Sequence, residues 1–212
     1  MRDETVERQA PAPVQVEDGK EVPLRPGDRV AIVGCGGVGL SALLGAVAAG
    51  ASEILAVDVS QAKLGVAREL GATQGVLWAG TPEETADAVR EATGGGVVYA
   101  IEATGRPEAM TAAFLSTRNR GAAVLIGIPR ETAMLTVPAL TIPRMERRIL
   151  GSIYGSARPE RDFLTILDLY RRGRLPLDRL VSHRLPLEKI DEAFALMHAG
   201  EARRAVLDLE AA

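Results

Sequence analysis

Apolar residues along this chain fall into short unbroken runs, separated by stretches with helical spacing. RVAIVG at 29–34 is apolar after its first arginine, as expected of a strand buried on both faces. An Ala/Leu-rich helix to about Ala49 follows, then a second strand, EILAVD at 53–58. Ser60 caps a helix running to Leu70 and closed by Gly71. GVLWAG at 75–80 predicts a third strand, and Thr81-Pro82-Glu83-Glu84 carries the cap, proline and acids of a helix start. That helix stops before the glycines at 94–96. VVYAIEATG (97–105) predicts a fourth strand, 107–117 a helix, GAAVLIGIP (121–129) a fifth strand and RRILGSIYG (147–155) a sixth. Further on the pattern turns helical, with helices at 159–172 and 188–199 and a last strand at 205–209. Upstream, valines flanking Asp18-Gly19 within 14–22 signal a short hairpin, and 23–28 a turn.

Buried strands alternating with helices imply a parallel sheet, because parallel neighbours need helical, right-handed crossovers. The expected fold is α/β: a doubly wound parallel sheet with a helical C-terminal extension. Its expected units are an arm at 1–25, a sheet domain at 26–155 and the extension at 156–212.

Composition narrows the function. The chain has 212 residues, enough for a core without disulfides, and 47% hydrophobic with 25% charged residues reads as globular. Aromatics make up only 3%, leaving little for base stacking, and the arginines are interleaved with acids. No nucleic-acid partner is expected. One cysteine, Cys35, excludes an internal disulfide framework and suits a reducing cytoplasm. Neither a signal peptide nor a membrane span is expected, since no stretch is long and apolar enough.

The strongest chemical signal is Gly34-Cys35-Gly36-Gly37-Val38-Gly39, which follows one strand and opens a helix. In that context G-x-G-x-x-G marks a dinucleotide site: Gly34 for the tight turn, Gly36 for backbone approach to pyrophosphate, Gly39 for close helix–strand packing. The helix N-terminus offers free N–H groups and partial positive charge to phosphates. Asp58 ends the second strand nineteen residues after Gly39, placed to accept from ribose hydroxyls and to repel a 2′-phosphate. Val59, Ser60 and Gln61 follow it with no arginine, so NAD is expected over NADP.

The stretch GDRVAIVGCGGVGLSALLGAVAAGASEILAVDVSQAKLGVARELGAT resembles the cofactor half, a Rossmann domain, of the zinc-type medium-chain alcohol dehydrogenases. The likeness runs over roughly 26–209. It implies that Lys63 reaches the adenosine ribose and that Ala103-Thr104-Gly105-Arg106 borders the adenosine–ribose region. It places Ile126-Gly127-Ile128 near the nicotinamide ribose and carboxamide, and Arg204 at the pyrophosphate. It also implies a homodimer paired along the sheet edge at 147–154.

The family's zinc ligands have no counterparts here. A catalytic zinc needs at least three converging protein ligands, and this chain has one cysteine and two histidines, His183 and His198. Neither catalytic nor metal residues are expected, and in the family the segment beyond about Gly155 packs on a catalytic domain unmatched here. The first functional reading is therefore an NAD(H)-binding module without catalysis of its own. The alternatives are an alcohol dehydrogenase whose catalytic domain another chain supplies, a zinc-free quinone-reductase-like relative, against which Asp58 argues, and a non-enzymatic NAD sensor.

Overall fold

The computed structural model describes residues 24–209 and two short backbone segments upstream, 14–15 and 21–22. Those segments are strands β1 (Val14–Gln15) and β2 (Glu21–Val22), which pair antiparallel with Val14 opposite Val22. The expected turn at Asp18-Gly19 and the arm before 14 lie outside the described residues.

The main sheet is built from six apolar runs. They are β3 (Arg29–Val33), β4 (Glu53–Asp58), β5 (Gln74–Leu77), β6 (Val97–Glu102), β7 (Thr117–Leu125) and β8 (Arg148–Gly151). Their spatial order is β5-β4-β3-β6-β7-β8 and every neighbouring pair is parallel. Alternation along the strands makes two cores. Val30 and Ile32 face Leu40, Leu43 and Leu44 of helix α1 (Gly37–Ala48) and Leu64 of α2 (Gln61–Glu69). Ala31 and Val33 share the other face with Val89 of α3 (Pro82–Ala92) and Phe114 of α4 (Pro107–Ser116). Helices on both faces explain why these strands carry no polar side, and the result is the doubly wound Rossmann arrangement. Local caps fix the helix starts as expected: Ser60 accepts from the Lys63 N–H, and Thr81 and Glu84 form a reciprocal capping box.

Four elements differ from expectation. β7 begins at Thr117 rather than 121, directly after α4, because the Thr117 hydroxyl donates to the Phe114 carbonyl and ends the helix. The exposed Arg118, Asn119 and Arg120 then interrupt the register, with Arg120 in the left-handed region at φ 61. β8 stops at Gly151, since Tyr154, Gly155 and Ser156 all have positive φ and turn the chain out of the strand. A short helix, α5 (Thr141–Met145), stands between the fifth and sixth strands where no helix was expected, started by Thr141 donating to the Pro138 carbonyl.

The fourth lies in the extension. After α6 (Pro159–Arg171), β9 (His183–Pro186) pairs in parallel with β10 (Ala205–Asp208), joined through α7 (Ile190–His198). β9 was not expected, because HRLP has neither an apolar run nor alternation. No α6 residue is buried, and Phe163, Leu164, Phe194 and Met197 are all exposed. Among the described residues no helix is long and apolar enough to cross a membrane.

Candidate functional site

The strand order reverses between β3 and β6, and the loops leaving their carboxyl ends meet there. That crevice is where open α/β sheets take ligands. Gly34 turns the chain out of β3 with φ +97, and a Cβ on it would lie 2.4 Å from Thr104 Cγ2. Its N–H donates to the Val57 carbonyl at 2.8 Å, keeping the turn against β4. Gly39 permits the closest approach: a Cβ there would sit 1.8 Å from the Gly34 carbonyl oxygen. Gly36 differs, because a Cβ on it would find nothing within 4 Å. Gly37 is crowded again, its missing Cβ lying 2.8 Å from the Arg203 carbonyl oxygen.

Asp58 connects the second strand to this turn. Its Oδ2 accepts from the Cys35 N–H at 2.8 Å and its Oδ1 from the Ser60 N–H at 2.9 Å. Cys35 is buried, and its thiol is pushed up to about 12 by desolvation, then by the Asp58 charge, with Lys63 opposing. The thiol is therefore neutral at ordinary pH and belongs to the packing. Lys63 sits in the first turn of α2, where its Nζ would be 3.2 Å from a Cβ on Gly200, just past the end of α7.

On the other side of the crevice, Glu102 organises the loop after β6. Fully buried, it accepts through Oε1 from the Thr104 N–H (2.6 Å), the Thr104 hydroxyl (2.5 Å) and the Gly105 N–H (2.9 Å). Its backbone carbonyl accepts from the N–H groups of Ile126 and Gly127. Gly105 and Gly127 then touch backbone to backbone: a Cβ on Gly127 would lie 2.1 Å from the Gly105 nitrogen. Ala103 donates its N–H to the Val33 carbonyl at 2.9 Å, tying this loop to β3.

The structure thus brings together Gly34, Gly36, Gly37, Gly39, Asp58, Ala103, Thr104, Gly105, Ile126 and Gly127 at one end of the sheet. Lys63 lies near enough for its charge to act on Cys35. The side chains of Val38, Arg106 and Ile128 are exposed, and Arg106 pairs with Glu108 at 3.7 Å. Arg204 is exposed as well, and it is the preceding residue, Arg203, whose carbonyl faces the glycine turn. Sequence reasoning missed Glu102 and Arg203. Only Glu102 carried a legible signal, an acid closing an otherwise apolar strand.

The residues fit a dinucleotide diphosphate. No side chain caps α1 and no acid stands within its first turn, so its first N–H groups have no side-chain partner. The open space over Gly36 lets an anion approach them, and Arg203 Nε is a buried donor without a partner among the described residues. No group of three or more His, Cys, Asp or Glu among the described residues could hold a metal ion. Each histidine has a local partner: His183 Nδ1 lies 2.9 Å from Ser182 Oγ, and His198 Nδ1 2.8 Å from the Phe194 carbonyl.

Comparison with known proteins agrees with this geometry. Residues 37–172 match the zinc-binding dehydrogenase family. The chain is 35% identical over 188 residues to alcohol dehydrogenase 1 of Pisum sativum, covering 88% of this chain and 49% of that protein. An alcohol dehydrogenase zinc-binding domain protein from Burkholderia ambifaria superposes with a TM-score of 0.83 at 34% identity, covering 88% of this chain and 50% of that one. A zinc-binding dehydrogenase from Sinorhizobium meliloti, bound to NADP, superposes with a TM-score of 0.70 at 26% identity, covering 81% and 49%. The chain therefore spans about half the length of these relatives. With the match covering most of its length, the chain belongs to the zinc-binding dehydrogenase family.

Proposed function

We propose that this chain is the NAD(H)-binding half of a zinc-type alcohol dehydrogenase, cytoplasmic, with residues 26–155 as its dinucleotide domain and 156–212 as the face toward a catalytic domain. One observation carries the reading: a glycine turn leading into an uncapped helix is tied directly to a strand-end carboxylate, Asp58. The turn suits the diphosphate and the carboxylate suits the ribose. The choice of NAD rests on Asp58, which disfavours a 2′-phosphate, since the Sinorhizobium relative is bound to NADP.

The nicotinamide supplies the hydride chemistry, between an alcohol carbon and its own C4, while the protein binds and orients it. With one cysteine, held as a buried thiol, and two histidines fifteen positions apart, this chain does not assemble an open zinc site by itself. It is expected to oxidise no alcohol alone. Exposed Phe163, Leu164, Phe194 and Met197 favour a second arrangement, in which a catalytic domain on another chain covers them and restores turnover. The outer edge of β8 is proposed to pair with a second copy.

The test is an NADH fluorescence titration of the purified chain, repeated with NADPH and accompanied by a zinc determination. NADH should bind at least about tenfold tighter than NADPH, a difference of ~1.4 kcal/mol. Equal or reversed affinities contradict the ribose assignment, and stoichiometric zinc contradicts the non-catalytic reading.

A further inference from the structure

We propose that Ser182 is a positioning residue for the dinucleotide site: its hydroxyl pins the Arg203-Arg204 segment against the glycine turn. The inference rests on the reading above, that this turn receives a dinucleotide.

Ser182 lies just before β9, far in sequence from the glycines. Its Oγ accepts from the Arg203 N–H at 3.0 Å and makes a longer contact, 3.4 Å, with the Arg204 N–H. The same oxygen is 2.9 Å from His183 Nδ1 and 3.3 Å from the Arg204 carbonyl oxygen, which also accepts from the Ser182 N–H at 3.0 Å. A hydroxyl has one proton and two lone pairs, so it serves at most three of these four contacts at a time, and none of its capacity is idle. Alanine would leave the Arg203 N–H and His183 Nδ1 without their partner.

The opposite side of the segment is equally specialised. The Arg203 carbonyl oxygen occupies the space a Cβ on Gly37 would need, at 2.8 Å. Gly37 sits at the start of α1 without a positive φ, so close approach of this segment, and not turn geometry, is what requires glycine there. Arg203 Nε is buried with no acceptor among the described residues. The Arg203 carbonyl packed on Gly37 thus sets this segment beside the uncapped N-terminus of α1, whose free N–H groups suit the phosphates of a dinucleotide.

The experiment compares Ser182→Ala and Ser182→Thr with the wild type, using ADP-ribose, which carries the diphosphate, and adenosine, which does not. Amide hydrogen exchange is followed at Arg203 and Arg204. Ser182→Ala should weaken ADP-ribose about tenfold, leave adenosine unchanged and speed exchange at both amides, while Ser182→Thr keeps the hydroxyl and restores all three. Unchanged ADP-ribose affinity in the alanine variant, or equal loss of both ligands, overturns the proposal. If the wild type binds neither ligand, the dinucleotide reading itself has failed. The exchange arm is read independently: unaltered protection at Arg203 and Arg204 in Ser182→Ala overturns the pin.

Discussion

The carboxylate of Asp58 holds the backbone N–H of Cys35 at 2.8 Å, so the residue expected to read the ribose also shapes the glycine turn. Substitution at Asp58 therefore changes more than cofactor preference. Asp58→Ala strips acceptors from two N–H groups, Cys35 and Ser60, and should cost about 1–3 kcal/mol in urea denaturation. Asp58→Asn keeps one oxygen and no charge, so it should lose less stability yet relax the NADH-over-NADPH preference. An alanine variant with the wild-type midpoint would contradict the structural half of this role.

Gly39 predicts a purely steric effect. A Cβ at that position meets the Gly34 carbonyl oxygen at 1.8 Å, and backbone on both sides cannot swing away. Gly39→Ala should destabilise by at least about 3 kcal/mol, toward the upper end of overpacking costs. Thermal unfolding checks it, and a wild-type melting temperature would show that helix and strand can part.

Much of this arrangement was legible in the sequence. Strands buried on both faces leave continuous apolar runs, which is why β3, β4 and β6 begin where expected. The start of β7 was hidden because Arg118, Asn119 and Arg120 form an exposed polar interruption inside the strand. At the site, glycine spacing announced the turn, but not that Gly36 is open while Gly37 and Gly39 are filled by neighbouring backbone. The resemblance pointed to Arg204. It is Arg203 that lays its carbonyl on Gly37, in a segment bonded to the distant Ser182, and no local pattern reports that.

The Cys35 thiol gives a prediction in pH. Burial raises it from 9.0 to about 12, so the folded chain keeps a proton that the unfolded chain releases above its ordinary value. Its stabilising contribution is complete below pH 9.0 and is lost as pH rises toward 12. Cys35→Ala should flatten the alkaline limb of a stability–pH curve, and native Cys35 should resist thiol reagents at neutral pH. Rapid labelling under native conditions would contradict the burial.

Arg147 is 7% exposed, with its guanidinium 5.8 Å from the Phe114 ring centroid and its Nε without a partner among the described residues. Burial first, and the Arg90 charge second, lower its pKa. A buried charge without an acid is a poor source of stability, so Arg147→Met, similar in length and apolar, should unfold at the same temperature or higher. A loss of about 2 kcal/mol would instead show that the cation–π contact outweighs the desolvation cost.

Dimerisation through β8 is tested by charge. Ile149, in the middle of this four-residue edge strand, is partly exposed, and pairing two such edges would bring its copies close to the axis. Ile149→Lys should convert a dimer to monomer in sedimentation at micromolar concentration. A monomeric wild type, or a dimer indifferent to the lysine, places any assembly on another surface.

The central claim is that the space over Gly36 receives a cofactor diphosphate, and one substitution isolates it. A methyl group there touches nothing within 4 Å, and the φ of −79° at Gly36 suits alanine. Gly36→Ala should therefore fold within ~1 kcal/mol of the wild type, the modest loss expected when alanine replaces glycine at a helix N-cap. Its affinity for NADH, measured by isothermal titration calorimetry beside the wild type, should nevertheless fall at least ~tenfold. A folded Gly36→Ala that binds NADH as tightly as the wild type would contradict the account.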